Sequence, residues 1–516
     1  MTKSRIGIAV GIVGVYLALA LLTAVTIRPR ADEGFFASPA LNLVQTGSMG
    51  TPILEAGHAF MKDIDRYTYW ITPLHFVVQA AWYAVFGFSL LTMRTLSIAF
   101  GLAALAAWYL MMRRLSQNES VALFTAALIG LDYNFIIGSS SGRMDMMAAA
   151  LGFGAFASYL LLRERHFDAA VVVSNALVCA AGLTHPVAGY LYFSGIVFLT
   201  LYYDRRRIRA SHVLLAAVPY LAGGAAWGWY ILKDPSAFKA QFTTNSTMHG
   251  RLTGLSAPWL GFLREVRFRY FMGFGLGRHS IGHEGPVYLK ILILAGFMTG
   301  VAGAVFTRDI RRDKRYRVLM LLAAIFFVLL ALLDGQKAYY YLIHIFPFYA
   351  ALTAVWVYRL WQRRPRLRIP AAAGIAGVLL LQIGATYYRG TRYTYERTYQ
   401  PAIAFLKQSV PPGRTIMGSA SLGFGLDFRR NLVDDVRLGY YTGRKPDYIV
   451  VNEEYFLVFL DYRHNDPEIY EFIEKRLTEE YSRVYDREGF QVYAARGPDP
   501  TSARGAVENA TGISYP

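Results

Sequence analysis

The chain has 516 residues, of which 54% are hydrophobic and 15% aromatic but only 17% charged, whereas roughly a quarter of the residues of an ordinary soluble domain are charged. This composition, with a mean hydropathy of +0.29, excludes a single soluble globule, a disordered chain and a collagen-like chain, and the single cysteine, Cys179, excludes a disulfide scaffold. Apolar runs close to the ~20 residues that cross a bilayer instead predict a polytopic helical membrane protein.

The positive charge of the chain is concentrated between its apolar runs. Lys and Arg number 53 against 35 Asp and Glu, a formal net charge of +18, which in a soluble protein would favour a nucleic-acid partner. Short basic loops between apolar runs are instead typical of the cytoplasmic side of a membrane protein, so we expect no nucleic acid as partner. The basic clusters are Lys3 and Arg5; Arg113 and Arg114; Arg163 and Arg165; 205–209; 308–317; and 359–368.

The apolar runs predict eleven membrane spans. The first run is long for a signal peptide and no small-residue cleavage site follows it, so we interpret it as a retained span. A basic cluster falls after every second later span, as alternation between the two sides requires. The predicted spans are residues 6–27, 93–112, 120–138, 145–162, 168–184, 187–203, 210–231, 287–307, 317–333, 339–358 and 369–388.

A further apolar stretch, 71–88, is long enough to be a twelfth span, and a total of twelve or thirteen spans is the alternative. If this stretch crossed the bilayer, every later basic cluster would lie outside, against the positive-inside rule. We therefore predict a helix that lies on or dips into the outer leaflet, a depth that suits Trp70, Trp82 and Tyr83.

The same alternation assigns large parts of the chain to the non-cytoplasmic side: the first loop (28–92), the segment 139–145, the long loop 232–286 and everything after residue 388. Arginine outnumbers lysine and alanine is abundant, which suits a GC-rich bacterial genome. We therefore expect an integral protein of a bacterial plasma membrane with its active site facing the periplasm or exterior.

Beyond residue 388 the composition becomes that of a soluble domain, and its pattern predicts a small α/β fold. The predicted elements are a helix over 402–408, strands at 415–417 and 448–451, an acidic helix over 467–481 and a hairpin over 481–495. We accordingly divide the chain into a transmembrane module (1–388), a soluble outer domain (389–496) and a polar, disordered tail (497–516).

Two adjacent carboxylates, Asp32 and Glu33, follow the first span directly. At the membrane exit they can meet a lipid head group, and a partly buried carboxylate there can accept a proton from an acceptor hydroxyl or interact with a positively polarised sugar carbon. The alternative is that both residues merely stabilise the N-terminus of the next helix. Spacing alone leaves the two interpretations open.

Further candidate residues lie at the later outer turns. Arg143 and Asp145 open a span, where they can pair, hold a phosphate or solvate the membrane boundary. His185 lies at the third outer turn, where a lone histidine is more often structural than a ligand. Positive-inside bias disfavours Lys337 on this side unless it neutralises something, so we predict that it binds a phosphate. Tyr340 beside it is either a substrate contact or an ordinary interfacial tyrosine.

No motif defines a metal or nucleotide site. His279 and His283 in the long outer loop lack a cysteine or carboxylate at the usual spacing, and Asp63-Ile64-Asp65 is a short pattern that arises by chance. A Walker A sequence is absent. The arginines of the long loop either close over a lipid-linked substrate or lie on anionic head groups. We expect chemistry without a defined cofactor and leave a divalent metal open.

Several of these features occur together in one known family. They are Asp32-Glu33 after the first span, 69–74 (Tyr-Trp-Ile-Thr-Pro-Leu), 86–88 with Arg94 and Ser97, Arg143-Met144-Asp145, and 341–347. On these motifs the chain resembles the GT-C glycosyltransferases, specifically the superfamily of protein O-mannosyltransferases and the lipid A aminoarabinose transferase. The resemblance covers about residues 1–388 and the general plan of an outer soluble domain.

The resemblance implies a polyprenyl-phosphate monosaccharide as donor and an acidic residue of the first outer loop at the reaction centre. Matched residue by residue, it implies Asp32 as the catalytic carboxylate, Glu33 as its neighbour and Asp145 as the second-loop acidic position. The sequence Thr72-Pro73-Leu74 departs from the usual Pro-Pro-Leu, and the extra luminal domain of the mannosyltransferases is not apparent. The acceptor is therefore open among a lipid, a glycan and a protein.

The predicted function is transfer of a hexose or pentose from a polyprenyl-phosphate carrier at the outer membrane face, among membrane lipids. The rival interpretation is a polytopic lipid or sugar transporter or flippase, which commonly places ionisable groups at mid-membrane and shows inverted repeats. Here the candidate residues fall at the outer ends of spans. They are Asp32 and Glu33 as catalytic groups and Arg143, Asp145, His185, Lys337 and Tyr340 as substrate-binding groups.

Overall fold

The structure, a computed structural model, describes residues 2–55, 61–247, 253–276, 289–428 and 431–496. A large helical module is followed by a small domain built on a β-sheet, and this confirms the predicted fold class. The helices of the first module are α1 (Lys3–Thr26), α2 (Ala31–Thr46), α3 (Leu74–Phe86), α4 (Leu90–Ser116), α5 (Glu119–Gly130), α6 (Tyr133–Ser139), α7 (Asp145–Leu162), α8 (Phe167–Thr184), α9 (Pro186–Asp204), α10 (Ala210–Ile231), α11 (Pro235–Thr247), α12 (Thr253–Ser256), α13 (Pro258–Arg264), α14 (Lys290–Phe306), α15 (Arg308–Arg312), α16 (Lys314–Leu333), α17 (Leu342–Arg363) and α18 (Arg368–Gly390).

Each of the eleven predicted spans corresponds to a helix or to a pair of helices. Nine helices of the described ranges are long and apolar enough to cross a bilayer, and α5 with α6 forms a tenth candidate that bends by 67°. Helix α14 has 17 residues, about 26 Å at ~1.5 Å per residue, slightly less than a hydrocarbon core of about 30 Å. The described residues therefore give ten candidate spans and one shorter apolar helix where the sequence predicted eleven spans.

The break between α5 and α6 has a local cause. Asp132 caps α6, because its Oδ1 accepts a hydrogen bond from the backbone N–H of Phe135 at 2.9 Å. Gln382 of α18 accepts the neighbouring backbone N–H of Tyr133 at 2.8 Å. Side chains thus satisfy backbone groups that a continuous helix would pair internally. The bend ends the outward path of the chain and leads it into the turn that carries Arg143.

The apolar stretch assigned to the outer leaflet forms α3, a helix of 13 residues. At ~1.5 Å per residue it is about 20 Å long, too short for a hydrocarbon core of about 30 Å. Its length agrees with the predicted position on or in the outer leaflet. Trp82 at this helix donates from Nε1 to the carbonyl of Thr92 at 3.1 Å, which ties α3 to the start of α4.

The interior of the helical module is packed with aromatic rings. The ring centroid of Trp108 lies 5.0 Å from those of both Phe153 and Phe348. A Cβ at Gly152 would lie 2.2 Å from the ring of Tyr192, so α7 requires glycine at this position to pack against α9. Close packing of this kind holds the helix ends in fixed relative positions.

Ion pairs near the predicted cytoplasmic side tie span ends together. Arg5 at the start of α1 pairs with Glu119 at 2.8 Å, and Arg163 pairs with Asp204 at 2.6 Å. The opposite end of α1 leads directly to Asp32. The arginine clusters and the candidate site residues therefore lie at opposite ends of the helical module.

The C-terminal domain contains a five-stranded sheet in the order β2-β1-β3-β5-β4. Strands β1, β2 and β3 are parallel, whereas β5 is antiparallel to both β3 and β4. The elements are α19 (Gln400–Ser409), β1 (Ile416–Gly418), α20 (Gly423–Leu426), β2 (Leu432–Val433), β3 (Tyr448–Asn452), α21 (Glu453–Asn465), α22 (Pro467–Lys475), β4 (Tyr481–Arg487) and β5 (Phe490–Ala495). The predicted strands and hairpin are present; β2 and α21 were not predicted, and the predicted tail, 497–516, lies outside the described residues.

This domain is docked on the first outer loop. Leu54 forms a parallel bridge with Asp434, and Ile53 belongs to the same buried cluster as Ile403 and Val450. A Cβ at Gly34 in α2 would lie 2.4 Å from the backbone of Ala420. The helix that follows the first span thus packs directly against the soluble domain.

Candidate active site

Helix α2 presents the two candidate carboxylates at its N-terminus. Arg30 is the N-cap residue, and its backbone N–H donates to Oε2 of Glu33 at 3.1 Å. The backbone N–H of Ala31 donates to Oε2 of Glu454 in the C-terminal domain at 2.9 Å. Unpaired N–H groups at a helix start favour carboxylates there. The alternative of N-terminal helix stabilisation therefore describes Glu33 well.

Asp32 lies beside Glu33 but has different surroundings. Its side chain is 45% exposed and forms an ion pair with Arg143. Nε of Arg143 also donates to Oδ2 of Asp145 at 2.8 Å. The guanidinium carbon of Arg143 lies 3.8 Å from the ring centroid of Tyr340, a cation–π contact. One buried arginine thus joins two carboxylates and an aromatic ring.

His185 extends this group. Its Nε2 lies 3.9 Å from Oδ1 of Asp145 and 3.1 Å from the hydroxyl of Tyr341. Because its Nδ1 accepts the backbone N–H of Val187 at 3.0 Å, the proton of the neutral ring is on Nε2. We use the name Arg143 cluster for Asp32, Arg143, Asp145, His185, Tyr340 and Tyr341. It contains five of the seven residues that the sequence predicted.

Glu33 is buried, with 1% of its side chain exposed, and forms a two-pronged ion pair with Arg94. Nε and Nη2 of Arg94 donate to its two oxygens at 2.8 and 2.7 Å, and the backbone N–H of Gly142 donates to Oε1 at 2.8 Å. Burial acts to raise the pKa of Glu33, but Arg94 outweighs it and holds that pKa below its usual value. Glu33 therefore links α2, α4 and the turn before Arg143.

Lys337 belongs to a second buried group, which we name the Glu265 cluster: Glu265, Arg269, Asp334 and Lys337. Nζ of Lys337 lies 3.2 Å from Oε2 of Glu265 and donates to the carbonyl of Ala331 at 2.6 Å. Arg269 pairs with Glu265 at 2.9 Å and with Asp334 at 2.5 Å. Two cations thus face two anions. A phosphate contact at Lys337 would require it to give up one of these partners.

Burial favours the neutral forms of Glu265 and Lys337 in this cluster. It raises the pKa of Glu265 and lowers the pKa of Lys337. The guanidinium carbon of Arg269 lies 5.6 Å from the ring centroid of Tyr341, so the two clusters share an aromatic boundary. Asp32 and Lys337 consequently lie on the same face of the helical module, as the sequence predicted.

Arg30 is a further candidate site residue that the sequence did not single out. Its Nη1 donates to the hydroxyl of Tyr339 at 3.0 Å, next to the tyrosine that stacks on Arg143. Its Nη2 is buried and has no hydrogen-bond partner among the described residues. The sequence did contain a signal. Arg30, like Lys337, is a cation on the predicted outer side, where positive-inside bias disfavours one.

The described part of the chain contains no group of three or more His, Cys, Asp or Glu side chains placed to bind a metal ion. His279 and His283 of the long outer loop lie outside the described residues. Of the loop arginines, Arg264 and Arg267 lie 5.8 and 5.4 Å from the ring centroid of Phe268, apart from the Arg143 cluster.

Comparison of the sequence with known proteins shows a similarity over part of the chain. No known protein-family profile matches the chain. An uncharacterized protein of Aquifex aeolicus (strain VF5) is 24% identical over 218 residues, which span 41% of this chain and 40% of that protein. The chain thus matches less than half the length of this relative.

Structural comparison covers almost the whole chain. The crystal structure of ArnT from Cupriavidus metallidurans bound to undecaprenyl phosphate matches 95% of this chain and 99% of its own, with a TM-score of 0.60 and 16% identity. AglB, the archaeal oligosaccharyltransferase of Archaeoglobus fulgidus, in complex with an inhibitory peptide and a dolichol-phosphate, matches 97% of this chain and 75% of its own, with a TM-score of 0.55 and 12% identity. At these identities the likeness concerns the fold. The chain therefore has the fold that ArnT and AglB share.

Proposed function

We propose that the protein is a glycosyltransferase that moves a monosaccharide from a polyprenyl-phosphate carrier to an acceptor at the outer membrane face. The single observation that carries the proposal is the convergence of the Arg143 cluster. Its residues come from four separate outer turns, yet they converge on buried Arg143 and Asp145, and Arg143 pairs with the half-exposed carboxylate of Asp32. Buried titratable groups that converge from distant stretches of chain are typical of active sites.

The chemistry that such a donor requires fits these residues. The acceptor oxygen attacks the anomeric carbon, the bond from that carbon to the phosphate oxygen breaks, and the phosphate leaves with the electron pair. Asp32 takes the proton of the acceptor hydroxyl. Its ion pair with Arg143 favours the ionised carboxylate that a base requires.

Cations that face the departing phosphate stabilise the charge that develops on it. Arg30 supports this role because its buried Nη2 has no partner in the described residues. Arg143 supplies a second cation beside Asp32, whereas Lys337 is a candidate only if it exchanges Glu265 for the phosphate. Tyr340 and His185 line the same cluster and are the remaining candidate substrate contacts.

The structural neighbours support the class of donor. The ArnT structure holds undecaprenyl phosphate, and the AglB structure is a complex with an inhibitory peptide and a dolichol-phosphate, so the same fold holds polyprenyl phosphates in both. We propose such a carrier for this chain, in a bacterial plasma membrane with the site on the periplasmic or exterior side. The acceptor is a lipid, a glycan or a protein. A transporter is less well supported, because the converging charges lie at the outer ends of spans rather than at mid-membrane.

The test compares the cell envelopes of cells with and without the gene by mass spectrometry of lipids and glycoproteins. A sugar modification that disappears with the gene identifies the product. Complementation with Asp32→Asn should fail to restore it, since loss of a general base lowers turnover by roughly 10²–10⁴-fold. The matched control is Asp461→Asn, which changes an exposed aspartate of the outer domain and should restore it.

Immunoblots of the membranes must show equal amounts of the two variants. Full restoration of the modification by Asp32→Asn would reject the assignment of the base. A gene deletion that changes no glycolipid, glycan or glycoprotein would reject the transferase itself.

A further inference from the structure

A groove far from the Arg143 cluster opens on the lipid-facing surface between α8, α9 and α10. It encloses about 520 Å³. Apolar side chains form almost all of its wall, including Val171 of α8, Val197 and Leu201 of α9, and Ala217 and Leu221 of α10. The polar side chains of its wall all have partners. The hydroxyl of Tyr220 donates to Oδ1 of Asn175 at 2.9 Å. Thr200 donates to the carbonyl of Ile196 at 2.8 Å, and His212 pairs with Asp168 at 2.9 Å. The groove is therefore suited to a hydrocarbon chain.

The groove has the depth of one leaflet. Its lining residues on α10 run from His212 to Leu221, which is about 15 Å of helix at ~1.5 Å per residue, and one leaflet contributes about 15 Å of hydrocarbon. It begins at the α9–α10 loop, which belongs to the basic clusters assigned to the cytoplasmic side. A chain that fills it therefore belongs to a lipid of the cytoplasmic leaflet.

The entrance of the groove is positively charged. Arg205, Arg206 and Arg209 are close in sequence to Ile208, which lines the groove, and are exposed. None of the three forms an ion pair with a carboxylate of the described residues. Their neighbour Arg207 is already paired with Asp204 at 3.2 Å, and His212 with Asp168 at 2.9 Å. Three unpaired cations thus lie where the head group of a lipid seated in the groove would lie.

No described segment of the chain covers this surface. Helix α10 buries none of its residues, and Val213 and Leu221 beside the groove are 61% and 71% exposed. As far as the described residues go, this surface is therefore open to an occupant from outside the chain.

We propose that this groove is a binding site for an anionic phospholipid of the cytoplasmic leaflet. One acyl chain fills the apolar groove, and the phosphodiester and acidic head group pair with Arg205, Arg206 and Arg209. Charge complementarity selects an anionic lipid over a zwitterionic one, because each arginine near the surface contributes attraction to anionic lipids. The site is independent of the proposed transferase, and its test uses no sugar transfer.

The experiment measures lipid binding to the full-length protein by native mass spectrometry after purification in detergent. Phosphatidylglycerol and phosphatidylcholine with identical acyl chains are titrated in parallel. We expect one phosphatidylglycerol to bind about tenfold more tightly than phosphatidylcholine, a ratio that a few arginines at about 1 kcal/mol each can supply. Equal affinities for the two lipids would overturn the proposal.

Two pairs of variants locate the site. Ala217→Phe fills the groove, and its matched control Val218→Phe adds the same ring on the exposed side of the same helix. Arg205→Gln/Arg206→Gln/Arg209→Gln removes the cations, and Arg308→Gln/Arg311→Gln/Arg312→Gln removes three exposed arginines of another cytoplasmic loop. We expect Ala217→Phe to weaken both lipids, the first triple variant to abolish the preference for phosphatidylglycerol, and both controls to bind as the wild type does.

Binding that survives both Ala217→Phe and the first triple variant would overturn the site. So would a dimer, detected by mass, that Ala217→Phe dissociates without a change in lipid binding, because the groove would then be an interface between two copies. Thermal unfolding of all four variants within about 2 °C of the wild type shows that the fold is intact. This is expected because α10 buries no side chain and surface changes usually alter stability little.

Discussion

The carboxylate of Glu454 accepts a hydrogen bond from the backbone N–H of Ala31 at 2.9 Å, although 423 positions separate the two residues in the chain. Ala31 is the first residue of α2 and the neighbour of Asp32. Glu454 belongs to α21 of the outer domain. Ala420, in another part of the same domain, packs against Gly34 of α2. The outer domain thus holds the N-terminus of the helix that presents the candidate base.

We expect Glu454→Ala to loosen this N-terminus, because loss of a helix-capping acceptor costs about 0.5–2 kcal/mol. Sugar transfer should fall several-fold, and hydrogen exchange in peptides that cover α2 should become faster. Glu454→Gln keeps an accepting oxygen and should restore both. The control Glu471→Ala removes an exposed glutamate of the same domain and should change neither. Unchanged exchange in α2 after Glu454→Ala would refute the positioning role.

Of the two adjacent carboxylates, we expect Glu33 to be important for stability and Asp32 for the reaction. Glu33→Gln leaves Arg94 buried without its counter-charge, which costs about 3–5 kcal/mol. Asp32→Asn removes a half-exposed ion pair, worth about 0–1 kcal/mol. Thermal unfolding in detergent should therefore show a large decrease for Glu33→Gln and almost none for Asp32→Asn. Equal unfolding temperatures for the two variants would contradict this division.

Lys337 should be structurally important whatever its role in donor binding. Lys337→Met leaves Glu265 and Asp334 to share Arg269, so the melting temperature should fall. Because Glu265→Gln removes the excess negative charge, the double variant should recover most of the loss. In this double variant, we expect the KM for the donor to exceed its wild-type value by a larger factor than the KM for the acceptor does. Wild-type values for both would assign Lys337 to the fold alone.

Asp434 should make the outer domain less stable as the pH rises. Burial raises its pKa from 3.8 to about 7, so between these pH values the folded state retains a proton that the unfolded state has lost. The stability that this group contributes is complete below about pH 4 and is lost as the pH rises through 7. Asp434→Asn cannot ionise, so its melting temperature relative to the wild type should increase between pH 5.5 and pH 8. A difference that is constant over this range would contradict the shifted pKa.

The sequence alone determined the features that depend on local patterns. Apolar runs located the helices of all eleven predicted spans, since burial in lipid requires consecutive apolar residues. The alternation of arginine clusters predicted which span ends share a side, and the residue pattern beyond residue 388 predicted β1, β3 and the hairpin of the outer domain. The short helix α3 followed from the same charge argument. The spans are set by composition within about 20 residues, whereas the placement of α3 depends on the order of basic clusters along the whole chain. Neither needs knowledge of distant contacts.

Only the tertiary structure decided how the charged residues pair. Asp32 and Glu33 are neighbours in sequence with the same chemistry, yet one faces Arg143 and the other faces Arg94. Lys337 is paired with Glu265, and Glu454 reaches Ala31 from the far end of the chain. Electrostatic energies depend on distance and burial, and for residues hundreds of positions apart both are set by helix packing, which local patterns in the sequence do not specify.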